Sequence, residues 1–289
     1  MKEFSLEFIR CVNCCSKLEV DVFSKSSEIN EGILECKNCK SIFPIIQKIP
    51  IMWDNFPNYL LNRRMLGGKL FNCVSDKMKD FIKKSLDPTS KKGDDRTDLE
   101  ERWAKIYQKN QRSRFYYKIK RELAKLPDSK LSLEYGCSIG TITKFLSNSS
   151  DIVFGIDRSF SAIKIAKNHQ RENLDYFVAD LLSPVFGNQK FNLILALNIL
   201  ELVEPLDFLK QATSQIDKGN LIISDPYDYQ RGNNSVKLPL DENSLRKNLK
   251  SFGFKIQNNT LHPSQIPWNL NLYSRAVLSY KVDLVIAKK

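Results

Sequence analysis

The chain has 289 residues, 42% of them hydrophobic and 27% charged, which suits a soluble globular protein with room for more than one domain. No run approaches the roughly 18 apolar residues needed to cross a bilayer, and the N-terminal stretch carries acids without an apolar core, so a cytoplasmic protein with no membrane attachment is expected. The net charge of +12 concentrates in residues 55–125, where 19 Lys/Arg face 9 Asp/Glu; this fits either a polyanion partner such as RNA or a set of solvated helix faces.

Two C-x-x-C pairs come first in the chain, Cys11 with Cys14 and Cys36 with Cys39, with 21 residues between them. Each pair can close a tight knuckle whose two thiolates converge, and two knuckles complete the four-sulfur shell of a structural zinc ion. The intervening residues read as two strands around a polar turn. Residues 1–54 are therefore expected to form a zinc ribbon, a small β domain with a surface available to a protein partner. Cys15 adjoins the first knuckle, but Cys14 is the residue that repeats the spacing of the second. A four-sulfur shell is closed, so this metal is expected to be structural. The segment "LECKNCKSIFPIIQKIPIMW" resembles the end of the small zinc-ribbon proteins that activate tRNA, rRNA and release-factor methyltransferases. Lys48 stands where that family usually has glycine. The resemblance implies a methyltransferase context, with the activator-like module fused to its partner.

Residues 55–126 read as a basic helical connector that packs on the domain after it, interrupted by "DPTSKKGDD" at 87–95. From Asp98 a helical pattern runs on for nearly 30 residues without Gly or Pro. Trp103, Tyr107, Phe115, Tyr116 and Tyr117 are interleaved there with Arg112, Arg114, Lys118, Lys120 and Arg121. Such a stripe is either the buried face of an amphipathic helix or a stacking surface for nucleic acid.

From residue 127 to 289, short apolar runs alternate with helical patterns, which implies a largely parallel sheet covered on both faces. The fold class expected is α/β, a Rossmann-like doubly wound sheet with the ribbon and connector in front of it. Ligands in such sheets bind beyond the carboxyl ends of the strands. Glu134, Asp157 and Asp180 close the first three of these strands at intervals of 23 residues. An acid after the second strand is placed to accept both hydroxyls of a ribose, and one after the third to accept an exocyclic amine of adenine. Glu134 can orient the loop that follows it and, through water, a charged amino-acid tail. That loop, "GCSIG", carries Gly136 and Gly140 with Ser138 between them. It lacks the third glycine of a pyrophosphate loop.

Residues 131–289 resemble class I S-adenosylmethionine-dependent methyltransferases. "LEYGCSIG" is similar to the family's "LDxGCGxG", "VFGIDRSFSAIKIA" to "VxGxDxSxxxIxxA", and "FNLILALNILELVEPLDFLKQ" to its fourth strand and following helix. The resemblance implies that Glu134, Gly136, Ser138, Gly140, Asp157, Asp180 and Asn198 hold S-adenosylmethionine. Asn198, Asp225 and Tyr227 are the candidates for positions beside the transferred methyl group, although Asp225–Pro226 also reads as a turn that closes the fifth strand. "NILELVEP" followed by "SDPYDY" is partly similar to methyltransferases acting on imidazole nitrogens, with Glu201–Leu202 in place of their Asp-Arg pair. His262, Trp268, Tyr273 and Arg275 lie in an insertion that either walls an acceptor pocket or forms a packed hairpin. The acceptor expected from charge is RNA. A small molecule or a protein imidazole is the alternative, and a non-catalytic scaffold for another protein is a third reading.

Overall fold

The computed structural model describes residues 1–86, 94–169, 171–231 and 236–289, so most of the expected break at 87–95 lies outside the described residues. In chain order come strands β1 (Glu19–Lys25), β2 (Ile29–Glu35), β3 (Ile42–Ile46) and β4 (Ile49–Met52), then helices α1 (Phe56–Leu61), α2 (Arg64–Phe71) and α3 (Asp76–Ser85). Helices α4 (Thr97–Asn110) and α5 (Arg114–Leu123) lead to β5 (Ser129–Tyr135), α6 (Thr141–Leu146), β6 (Ser150–Asp157), α7 (Phe160–Ala166) and β7 (Leu174–Ala179). The chain closes with β8 (Leu193–Leu197), α8 (Pro205–Ser214), β9 (Asn220–Asp225), α9 (Glu242–Ser251), β10 (Lys255–Ile256), β11 (Ile266–Tyr273) and β12 (Ala276–Lys288).

Several helix starts are written locally. The Asn55 side chain accepts the Asn58 N–H at α1, Ser159 accepts that of Ala162 at α7, and Pro205 opens α8. Asp241 and Ser244 bond reciprocally in a capping box at α9. The long helix expected from Asp98 onward is instead two, broken at 111–113. Asn110 ends the first piece because its side chain is drawn to the backbone of Asn271, accepting that N–H at 2.9 Å and donating to that carbonyl at 3.2 Å. A tertiary partner thus overrides an unbroken helical pattern.

The chain divides into two compact units. The first comprises Met1–Lys105, Asp157–Gln170 and Asp175–Gln189. Within it β1 to β4 form an antiparallel meander, and β4 adds in parallel to β7 with Ile51 opposite Val178 and Met52 opposite Ala179. The β3–β4 connection is a two-residue turn in which Gln47 (φ 51°) and Lys48 (φ 68°) are both left-handed, the geometry of a type I′ hairpin. That conformation gives a physical reason for glycine where this chain carries Lys48. Phe43, Ile45, Ile51, Phe56, Tyr59, Met78, Ile82 and Phe177 belong to the buried core of this unit.

The second unit comprises Ile106–Ile156, Arg171–Leu174 and Lys190–Lys289. Its strands run in the order β6-β5-β8-β9-β12-β10, with β6, β5, β8 and β9 parallel and the later pairings antiparallel. The chain leaves β5 for β6 on one side and returns to β8 on the other, so the strand order reverses beside β5. This is where an open α/β sheet leaves a crevice at its carboxyl ends. β12 is long: its residues 283–288 pair with β9, while 276–282 pair with β11. Because Asp283 lies opposite Asp225, at the carboxyl end of β9, the β11–β12 hairpin projects past that end. The inserted residues therefore form a hairpin. Trp268 is buried in it, against Phe115 at 5.4 Å and Tyr107 at 6.3 Å between ring centroids. Phe115 and Tyr107 thus pack inward, while Tyr117 remains 70% exposed.

Candidate active site and metal centre

The first unit brings Cys11, Cys14, Cys36 and Cys39 together, with their sulfur atoms all within 4.8 Å of one another. The Cys11–Cys39 and Cys14–Cys36 distances are each 3.4 Å. Four thiolates about 2.3 Å from a tetrahedral zinc ion would stand roughly 3.8 Å apart, so the donor set fits that metal in kind and in spacing. The two knuckles share one backbone design. Cys15 donates its N–H to the Cys11 carbonyl and Lys40 to that of Cys36, both at 2.8 Å, while Cys11 and Cys36 donate to Ser16 and Ser41, both at 2.9 Å. Cys15 (φ 57°) and Lys40 (φ 62°) are the matching left-handed residues. Cys15 is thus the counterpart of Lys40, the residue that turns the chain out of a knuckle, and it lies outside the sulfur cluster.

In the second unit, β5 delivers the loop 136–140 to the reversal of strand order. Three alternate residues there are left-handed: Gly136 (φ 66°), Ser138 (φ 48°) and Gly140 (φ 73°). Glycine takes this conformation without strain, whereas Ser138 holds it at a cost of about 1 kcal/mol. A Cβ on Gly136 would also stand 2.5 Å from Ile199 Cγ2, so the loop after β5 and the turn after β8 are in contact. Glu134 is 3% exposed and accepts a hydrogen bond from Thr143 Oγ1, one turn into α6. Burial first, and then the charges of Tyr107 and Glu134, push the Tyr116 phenol above its ordinary pKa, which puts α5 within electrostatic reach of this carboxylate.

The ends of β8 and β9 are clamped to each other. Asn198, itself left-handed at φ 57°, donates its N–H to the Ser224 carbonyl at 2.7 Å and accepts from Ser224 Oγ at 2.9 Å. Asp225 is fully buried; its two oxygens accept the N–H groups of Leu200 at 2.9 Å and Tyr227 at 2.8 Å. Asp225 therefore orders two turns, the part foreseen for a turn-closing residue. Tyr227 (φ 54°) donates its hydroxyl to Asp283 at 3.1 Å, and burial, reinforced by the Asp283 and Asp225 charges, pushes its pKa up. It is a neutral donor there. Left-handed residues gather at the carboxyl ends of β5, β8 and β9, as backbone strain does at ligand sites.

Behind Tyr227 sits a pair that sequence reasoning missed. Asp283 accepts two bonds from Arg246, at 2.6 and 3.1 Å, and one from the Ser264 N–H at 2.7 Å. Burial works to raise the Asp283 pKa, but hydrogen bonding and charge from Arg246, with help from Ser264 and Tyr227, hold it below the usual carboxylate value. A depressed folded pKa contributes stability that is complete above the unfolded value, about 3.9, and is lost as pH falls through the folded one. Asp283→Asn should therefore destabilise the protein by about 3–5 kcal/mol at neutral pH, because Arg246 is left buried without its counter-ion. The difference from the parent should shrink below about pH 4, read by denaturant unfolding at several pH values.

The remaining acids lie in the first unit. Asp157 Oδ1 accepts the Ser159 N–H at 2.8 Å, and Asp180 Oδ1 accepts that of Leu182 at 2.9 Å, so each carboxylate closes the turn after its own strand. Much of the charge in residues 55–125 is already paired. Arg63 meets Glu100 at 2.7 Å, Lys69 meets Glu101, Lys77 meets Asp21, and Lys118 and Lys125 meet Glu122. The expectation of RNA from net charge gains no support from this arrangement.

Residues 133–223 match the family model described as a methyltransferase domain. The ubiquinone biosynthesis O-methyltransferase of Coxiella burnetii (strain Dugway 5J108-111) is 33% identical over 91 residues, which cover 30% of this chain and 39% of that protein. The protein of the same name from Pelagibacter ubique (strain HTCC1062) is 34% identical over 112 residues, 37% of this chain and 45% of that one. The chain thus spans less than half the length of the curated relatives it matches. Among solved structures, magnesium protoporphyrin IX methyltransferase from Synechocystis PCC 6803 with bound S-adenosylhomocysteine aligns over 67% of this chain and 94% of its own. Its TM-score is 0.50 at 17% identity. The complex of the Haloferax volcanii Trm112 methyltransferase activator with a methyltransferase aligns over 66% of this chain and 96% of the matched chain, with a TM-score of 0.53 at 14% identity. Residues 133–223 thus match a methyltransferase domain, the chain has a mixed α/β, Rossmann-like fold, and its four-cysteine cluster is compatible with a small zinc ribbon.

Proposed function

We propose that this protein transfers a methyl group from S-adenosylmethionine to a small-molecule acceptor. The observation that carries the reading is the loop 136–140, left-handed at Gly136, Ser138 and Gly140 and set at the reversal of strand order, inside the segment that matches the methyltransferase family. The proposed roles are these. The loop and Glu134 take the amino-acid end of the cofactor, Asp157 the ribose hydroxyls and Asp180 the adenine amine. The Asn198 amide, oriented by Ser224, lies beside the reacting centre. When bound, the cofactor supplies an electrophilic methyl on a sulfonium, which an acceptor lone pair takes in line as the carbon–sulfur bond breaks. The protein's share is then chiefly orientation. Asp225 and Tyr227 serve that share by fixing the turns around Asn198. A small acceptor is favoured over RNA because the matched relatives are named for ubiquinone biosynthesis and several bases of the connector are already engaged by carboxylates. Residues 1–54 are proposed to be a zinc ribbon on Cys11, Cys14, Cys36 and Cys39, residues 55–126 a connector, and 127–289 the cofactor-binding domain.

Calorimetry with S-adenosylhomocysteine should show one site per chain. Labelled S-adenosylmethionine, offered separately to metabolite extracts, total RNA and total protein, should deliver its methyl to the first. Label in RNA or on protein histidine would overturn the acceptor. Neither binding nor transfer would leave only the scaffold reading.

A further inference from the structure

Tyr59 lies on α1, in the connector, and its ring is fully buried. Its hydroxyl reaches the turn between β6 and α7, accepting the N–H of Phe160 at 3.2 Å and donating to the carbonyl of Arg158 at 3.1 Å. Those two groups flank Ser159, two residues after Asp157. The turn has its own stitches: Asp157 Oδ1 accepts the Ser159 N–H, and Ser159 Oγ accepts that of Ala162 at 3.2 Å. Phe160 is the first residue of α7, where a backbone N–H has no partner within the helix, so the phenol satisfies a donor that would otherwise be orphaned.

Tyr59 is itself held from behind. The Arg63 guanidinium lies 4.3 Å from the centre of its ring and donates to its carbonyl at 3.2 Å. Arg63 is 4% exposed and forks onto Glu100 with bonds of 2.7, 3.1 and 3.2 Å. Trp53 packs against the same ring, with ring centroids 5.1 Å apart. A rigid aromatic with a hydroxyl that both donates and accepts is thus aimed at the backbone of one turn. A packing residue would need only the ring.

We propose that Tyr59 is a positioning residue for Asp157, setting the carboxylate to take the vicinal hydroxyls of a ribose. This rests on the reading of Asp157 as the ribose acid of a nucleoside cofactor. Tyr59→Phe keeps the ring and removes the two bonds, so the turn loses its outside support and the carboxylate its fixed direction. The ligand should feel this only through its ribose hydroxyls.

The test is calorimetry on the full chain with S-adenosylhomocysteine and with its 2′,3′-dideoxy analogue. Tyr59→Phe should weaken the first by about tenfold and the second by less than about twofold, a coupling that double-mutant logic assigns to the hydroxyls. Ser159→Ala loosens the same turn from its other side and should show the same selectivity, which keeps the test open if Tyr59→Phe folds poorly. Equal losses for both ligands would make Tyr59 a structural residue only, and no loss for either would deny it any part in binding. If the parent protein bound neither ligand, the cofactor reading would fail first. If it bound both equally, Asp157 would not be the ribose acid.

Discussion

Stripping the zinc proposed for the four-cysteine cluster, by chelation or by Cys36→Ser, should unfold the knuckles and release β4 from β7. Metal analysis of the parent should find about one zinc per chain, and Cys36→Ser should abolish it. Structural zinc contributes on the order of 10 kcal/mol to such modules, more than the apolar core of some 50 residues can replace. The consequence is not confined to the ribbon. β4 pairs in parallel with β7 through Ile51–Val178 and Met52–Ala179, all four buried, and Asp180 follows directly. Amide exchange at Val178 and Ala179 should therefore accelerate when the metal leaves, and thermal unfolding should start at lower temperature. A Cys36→Ser protein that kept its metal and its melting profile would refute the four-cysteine site.

Asp157→Ala should weaken S-adenosylhomocysteine binding by at least about 100-fold. A carboxylate accepting two hydroxyls makes two charge-assisted bonds, each worth about 1.5–3 kcal/mol, so their combined loss exceeds the roughly 2.7 kcal/mol of a hundredfold. Asp157→Asn separates two contributions. The amide oxygen can still accept the Ser159 N–H and hold the turn, so this variant should fold like the parent while losing the charge, with an affinity between the two. Calorimetry reads the affinities and ligand-free melting reads the fold. Unchanged affinity in both variants would remove Asp157 from the ligand site.

The two C-x-x-C pairs, the β-α alternation after residue 127, and the acids closing three successive strands were all legible in the chain, because each is a pattern of spacing within a few dozen residues. The Lys and Arg of the connector were legible as charge, but their partners were not. Lys77 finds Asp21 and Arg63 finds Glu100 only once helices and ribbon have packed. The same limit explains the unforeseen break at 111–113, which Asn271 imposes on Asn110 from 161 positions away.

For the candidate site, local sequence determined where the candidate residues stand. The glycine loop must turn, the acids must end strands, and the cysteines must pair within their knuckles, since neighbouring backbone dihedrals and strand length dictate all three. Tertiary structure alone decided what each side chain is committed to. It gave Ser138 and Asn198 their left-handed backbones, tied Asp225 to the N–H groups of Leu200 and Tyr227, locked Arg246 onto Asp283, and brought the Tyr59 hydroxyl to a turn 99 residues further along. The reason is physical. A hydrogen bond between distant segments has no counterpart in periodicity or propensity, and exists only when burial has made the alternative, an unpaired polar group, too costly.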